Sequence, residues 1–505
     1  MSLFNIYKKV NEKAENLEKL MQIVRDGYPN HICTVVPLLK DNHREVREMA
    51  ADVIAYLFMK IDSKNQFNSM FRYCKISVDD IDYYKRNFPK DILVKLLAIS
   101  SFNQSGYVRQ KAVKQLAGTA HPHAIPFIIY RLSDWVKAVR LEANQGLERF
   151  KTKSFIDALI QNIDAFEDLQ KIGRVNLNDT YKSIVDFIVN DHREHILIHY
   201  KEYPDKLRLK LAKLMQKSLS NDYQELRLWV RDGSYLVRGL TLEHFDKLTS
   251  NEIQRLLNDK SGRVRLQALP LLKDRADFRL ILQDFIADNS SMIRYYARFI
   301  LKTENIDFAE IYYQNLIEDK NVGASLLGLA EVNASVYKNT IVRFLNNPKV
   351  NVQRAAFRAL VKLDEEAAYT YGLENLNSDI PVIRKTVIPF LAKKSTDEVL
   401  DKARYSFNMG TPKVKMSMLN LFSDIGGWKI LPDLVLGTID DDEAIRNMSA
   451  ELIRIWKLRA IHLFVSPQKE DKERARQVLL LANEIHQDKK YFNRNPLDEL
   501  DFYFR

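Results

Sequence analysis

The sequence predicts an all-α fold, a right-handed α-α superhelix (α-solenoid) of about fourteen stacked helical hairpins. Three observations predict it. A short motif recurs along the chain at a step of about 30 residues. Within each step the apolar residues follow the three-to-four spacing of helices. Chain breakers are scarce, with 15 glycines and 14 prolines in 505 residues, against a combined average usage of roughly 12%.

The motif is an Asp or Asn followed six positions later by Arg, with an aliphatic residue just before that Arg. It reads Asp41 with Val46-Arg47, Asn103 with Val108-Arg109, Asp134 with Val139-Arg140, and Asp232 with Val237-Arg238. It continues as Asp259 with Val264-Arg265, Asp288 with Ile293-Arg294, and Asp440 with Ile445-Arg446. The Arg position steps by 31 from Arg109 to Arg140, and by 31 each time through Gln353, Arg384, Lys415 and Arg446. Between Arg265, Arg294, Gly323 and Gln353 the steps are 29, 29 and 30. Arg47 and Arg109 lie 62 apart, which predicts one degenerate unit near 60–88.

Each unit reads as a helix, a polar turn and a second helix. In 122–150 the first helix carries Ile125, Phe127, Ile128 and Ile129, and Ser133-Asp134-Trp135 makes the turn. Val139, Ala143 and Leu147 then mark one face of the second helix. Pro37, Pro126 and Pro432 fall near the starts of first helices, where proline bends the chain without ending the repeat.

This pattern resembles the HEAT repeat family over about 29–460. The resemblance implies a turn Asp and a second-helix Arg that form a structural ladder. Here that ladder is Asp41, Arg47, Asn103, Arg109, Asp134, Arg140, Asp232, Arg238, Asp259, Arg265, Asp288, Arg294, Arg384, Asp440 and Arg446. Each Arg is expected to bond its own turn acid or that of the next repeat, because its planar fork holds two acceptors. The pattern departs at Gly323, Gln353 and Lys415, and blurs over 60–88 and 151–225. The expected organisation is a capping helix over 1–28, repeats over 29–150, irregular repeats over 151–225, regular repeats over 226–460, and a capping helix with a tail over 461–505.

Composition narrows the function. The chain has 77 Lys and Arg against 66 Asp and Glu, a net +11. That balance permits an acidic protein, a nucleic acid or an anionic surface and requires none of them. Cys33 and Cys74 have no metal-ligand spacing, and a chain of this length needs no disulfide staple, so a reducing, cytoplasmic setting is expected. The N-terminus lacks an apolar signal core, and no stretch is long and apolar enough to span a membrane. No Gly-rich phosphate loop, nucleophile elbow or paired-cysteine motif occurs. No enzyme activity, cofactor or metal is therefore expected. His192, His195 and His199 approach a metal-ligand spacing but lack the glutamate of a zinc-protease helix. His121 and His123 read as loop residues.

The candidate binding residues gather beside the irregular stretch. Lys206, Lys210, Lys213 and Lys217 share one helical stripe, with no acid from 206 to 220. Residues 201–300 hold 19 basic and 13 acidic residues. Arg227, Trp229 and Arg231, then Tyr295, Tyr296 and Arg298, interleave aromatic and basic groups. Tyr83-Tyr84-Lys85-Arg86 does the same in the blurred unit. The tail 495–505 mixes acids with aromatics and is expected to dock, on this chain or on another.

The expected function is a non-enzymatic scaffold whose concave face, lined by second helices, holds a protein or peptide. The alternative is nucleic-acid binding through the basic surface. One form of it is a resemblance to HEAT-like alkylpurine DNA glycosylases, which implies roles for Trp229 and Asp232. A further alternative is an accessory role like that of the HEAT-like phycobilisome lyase subunits.

Overall fold

The structure, a computed structural model, describes residues 3–61, 64–173, 175–463 and 466–504. Met1, Ser2 and Arg505, which belong to the expected caps, and residues 62–63 of the blurred unit lie outside the described residues. Every regular element among the described residues is helical. The chain divides into two compact units, Met1–Glu252 and Ile253–Arg505.

In the first unit the helix Leu3–Asp26 precedes seven hairpins, whose second helices are Arg44–Phe58, Val78–Asn87, Gly106–Gly118, Lys137–Phe150, Asn178–Asp186, Asp205–Met215 and Tyr235–Leu240. In the second unit the corresponding helices are Gly262–Ala268, Ser291–Leu301, Val322–Glu331, Val350–Leu363, Pro381–Lys394, Pro412–Ile425 and Glu443–Ala460. Second helices pack on second helices, as Gly106–Gly118 does on Lys137–Phe150 and Val322–Glu331 on Val350–Leu363. The buried faces are the periodic apolar positions: Val139, Ala143 and Leu147 are 0–1% exposed. Small residues set the approach. Gly146 lies so close to Ala117 that a Cβ there would sit 2.9 Å from the alanine methyl.

The prolines act as joints. Pro37, Pro126 and Pro432 each occupy one of the first two positions of a short helical segment. Their missing N–H is free of cost there.

The irregular stretch has a local cause. The first helix of its first hairpin breaks at Asn162 into Ile156–Gln161 and Ile163–Leu169, and the second continues Asn178–Asp186 as a π-helical segment, Phe187–Asp191. Wider turns of this kind lengthen the unit and move side chains off the regular register.

One expectation is corrected. Cys33 and Cys74 are joined as a disulfide, with Cα atoms 4.8 Å apart. Stacking of the first two hairpins brings the two cysteines within bridging range. Their sequence separation of 41 residues hides this.

The C-terminal tail docks on its own chain. Leu497 and Leu500 are buried, and the Tyr503 ring packs against Trp456 (5.4 Å) and Trp428 (6.4 Å). Before it, the helix Lys469–Lys489 covers the last hairpin, where Arg474 and Arg404 share the buried carboxylate of Asp433.

Candidate partner-binding surface

The Arg ladder sets the frame for any surface. Each turn acid or amide first closes its own turn. Asp134 accepts the Val136 N–H (2.9 Å), Asp232 that of Ser234, Asp259 that of Ser261 and Asp288 that of Ser290 (2.7 Å each). The Arg six residues on donates to the backbone carbonyl of that turn, not to its side chain. Examples are Arg47 to Asp41, Arg140 to Asp134 and Arg238 to Asp232, all 2.7 Å, and Arg446 to Asp440 at 2.8 Å. The rest of the guanidinium reaches the next turn carboxylate. Arg109 grips Asp134 at 2.8 and 2.9 Å, and Arg265 grips Asp288 at 2.6 and 2.9 Å. The ladder thus locks successive repeats as well as single hairpins.

Departures from the motif keep the geometry by other means. Gln353 donates to the Asn347 carbonyl (2.7 Å), and Lys415 pairs with Asp440 (2.6 Å). Gly323 has no side chain to offer, and Arg294 turns to Glu331 instead. Arg384 donates to the Ser378 carbonyl and the Ser417 hydroxyl. Ahead of the first repeat, Asn16 of the N-terminal helix donates to Asp41 (2.9 Å). Sequence reasoning missed one rung. Arg208 grips Asp232 at 2.7 and 3.2 Å, as Arg109 grips Asp134. It sits 30 residues before Arg238, and that repeat step was the available signal.

The lysine stripe is divided. Lys206 and Lys210 both pair with Asp164, and Lys210 also pairs with Glu167 (2.6 Å). These acids stand on Ile163–Leu169, far away in sequence. Lys210 and then Lys206 hold the Asp164 carboxyl below its usual value. Lys213 and Lys217 are exposed and make no ion pair among the described residues. The stripe therefore presents two uncompensated cations, not four.

Arg227 and Arg231 line a cavity with Lys201, Leu197 and Asp222 between the first helices of adjacent hairpins. A separate cavity holds Lys206 and Lys210. Trp229, expected on the surface, is 0% exposed. It fills the core beside Leu226, three residues before it, and Val230, both also buried. Asp232 is a ladder residue gripped by Arg208, so the glycosylase roles implied for this pair have no exposed aromatic and no free acid here. Tyr84 is likewise buried.

In the second unit, Tyr295 behaves differently. Met292, Tyr295 and Phe299 form one outward row of Ser291–Leu301 and are 60%, 60% and 52% exposed. Their i, i+3, i+7 spacing puts them on a single face. The Tyr295 and Phe299 rings stack at 6.2 Å, and Lys302 lies over Phe299 at 4.9 Å. Tyr296 is half-buried. Arg298 turns from the row to pair with Glu331 (2.9 Å) and Tyr312 (2.6 Å). Leu271, in the segment after the preceding second helix, is 44% exposed.

The histidines have local partners. His195 bonds Asp157 (2.8 Å), His199 bonds Glu202 (3.1 Å) and His192 bonds the Phe187 carbonyl (3.0 Å). Among the described residues no group of three or more His, Cys, Asp or Glu could hold a metal ion. Among the described residues no helix is long and apolar enough to cross a membrane.

No protein-family model matches the chain, and no curated protein matches it. Solved structures do align. A mutant of Kap121p matches with TM-score 0.35 and 12% identity, covering 94% of this chain and 64% of that one. The karyopherin Kap121p bound to the SUMO protease Ulp1p gives 0.31 and 14%, over 93% and 61%. Importin beta gives 0.30 and 11%, over 96% and 73%. The chain thus spans less than two thirds of the first of these proteins. At this level of similarity the fold assignment stands on the chain's own hairpins and ladder, which make it a HEAT-like α-solenoid.

Proposed function

We propose that this chain is a non-catalytic scaffold that holds a protein partner on the second-helix face of its second unit. The observation that carries the proposal is the exposed row Met292, Tyr295 and Phe299. Three large apolar side chains in line on a rigid helix gain nothing from water. Each ring buries about 150–250 Å² when covered. Such rigid aromatic anchors are the groups that dominate protein interfaces. The ladder supports the reading by anchoring that helix: Arg294, on its buried side, pairs with Glu331 of the next second helix and is not needed for contact. The exposed Lys213 and Lys217 of the first unit add positive charge that speeds encounter with an acidic partner.

The test is affinity capture by the full chain from a native extract, with and without nuclease. It is repeated with Tyr295→Glu and Phe299→Glu combined. The expected result is a protein partner that survives nuclease and is lost with the double variant, whose melting curve matches the wild type. Losing one such anchor costs about 2 kcal/mol or more, so capture should fall by well over tenfold. A partner lost on nuclease treatment, or one held equally by the double variant, contradicts the proposal.

A further inference from the structure

A second surface lies in the first unit, along the inter-helix turns of three successive hairpins. A cavity of about 610 Å³ opens there, and its lining holds three arginines, Arg72, Arg109 and Arg131, against one acid, Asp134. Asp134 is already fully used. Its two oxygens serve Arg109, the Val136 N–H and Nη1 of Arg131 (3.0 Å).

Arg131 is therefore left incomplete. It is only 6% exposed, yet its Nε and Nη2 have no hydrogen-bond partner. Its guanidinium lies over the Phe102 ring at 4.3 Å and the Tyr130 ring at 4.9 Å. Burial lowers its pKa to about 10, so it stays charged at neutral pH. Both nitrogens are closed to solvent, so the Arg131 charge acts on the cavity through space, undiminished by water. Arg72 supplies a second cation. It is exposed, leans over Tyr73 at 5.6 Å and makes no ion pair among the described residues. Tyr73 and Trp135 stand at the cavity, 69% and 79% exposed.

We propose that this cavity binds an acidic segment of a partner protein. Arg72 holds one of its side-chain carboxylates with the Arg131 charge beneath it, and Tyr73 and Trp135 cover an adjacent ring. The proposal takes the kind of partner from the scaffold reading above and its site from a different unit. The positive charge converges on one pocket, which matches a single carboxylate beside an apolar group. A nucleic-acid strand needs cations at each successive phosphate. Asn68 and Gln104 line the same cavity and offer amide groups suited to a peptide backbone.

The test uses the full chain and a fluorescein-labelled peptide built on Glu-Phe-Glu, read by anisotropy. Controls are the Lys-Phe-Lys peptide and a single-stranded oligonucleotide. Variants are Arg72→Gln and Trp135→Ala, both at exposed positions, with melting curves to show that the fold is kept. The expected result is saturable, salt-sensitive binding of the acidic peptide, weakened about tenfold or more by each variant. Three results overturn the proposal: no binding of the acidic peptide, equal binding by both variants, or tighter oligonucleotide binding that the same variants abolish. Capture through Tyr295 and Phe299 is read on the other unit. If that capture succeeds while the peptide fails, only this proposal falls.

Discussion

Asp134→Ala removes the most heavily used node of the ladder. The carboxylate is 1% exposed at its side chain and accepts four hydrogen bonds, two from Arg109 and one each from Arg131 and the Val136 N–H. Its loss strands two arginines whose side chains are 11% and 7% exposed. Breaking a buried pair by deleting one partner costs about 3–5 kcal/mol. In a repeat array that cost falls on the interface between neighbouring hairpins. Hydrogen exchange with mass spectrometry should therefore show lost protection in Gly106–Gly118 and Lys137–Phe150, while residues 253–505 keep theirs. Asp134→Asn, which keeps an acceptor for the turn, should cost less. The pH dependence follows the same carboxyl. Burial pushes its pKa up, but Arg109, the Val136 N–H and Arg131 outweigh burial and hold it below the ordinary 3.8. A depressed carboxylate stabilises the fold fully above that ordinary value, and the gain is lost as pH falls below it. If Asp134→Ala exchanges like the wild type, or melts no lower than a Trp135→Ala surface control, the ladder does not hold the repeats together.

Other outcomes follow from the same structure. Joining Cys33 to Cys74 closes a loop of 41 residues, worth about 4 kcal/mol in the chain-entropy model. A reductant should lower the urea midpoint of the first unit and leave the Cys33→Ala variant unchanged; equal midpoints contradict the bridge. Lys206→Gln with Lys210→Gln should lower retention on an anionic column less than the same change at Lys213 and Lys217, because Asp164 and Glu167 already pair with the first two. Lys213→Gln with Lys217→Gln should elute earlier, and the reverse order contradicts the pairing. His486 is held below its ordinary 6.5 by burial and then by Arg446. Its Nε2 meets the Thr438 hydroxyl at 3.0 Å, and its buried Nδ1 has no acceptor for a second proton. The C-terminal helix should therefore hold fully above pH 6.5 and loosen as pH falls below it, a dependence that His486→Gln flattens in melting curves.

The repeat was legible because the ladder needs fixed residue types at a fixed spacing, and those survive in the primary sequence. Arg109 to Asp134 and Arg265 to Asp288 are contacts between positions that the spacing alone had marked. What the sequence concealed were neighbours set by stacking. Asp164 stands 46 residues before Lys210, so a scan along one helix saw an uncompensated stripe. Trp229 sits among arginines in sequence but faces inward, because helical period decides burial and adjacent charges do not. Cys33 and Cys74 meet only because two hairpins stack. The row at Met292, Tyr295 and Phe299 was half legible. Tyr295 stood out as an aromatic beside arginines, while its apolar companions emerged only from their exposure.

The most direct test of the scaffold account is site-specific photocrosslinking. A photoreactive phenylalanine analogue replaces Tyr295 in the full chain, and a second chain carries it at Trp229 as a buried control. The account predicts a discrete protein adduct from position 295 that resists nuclease, and none from position 229. An adduct that nuclease destroys, or no adduct from position 295 under conditions where the chain still retains its partner, contradicts it.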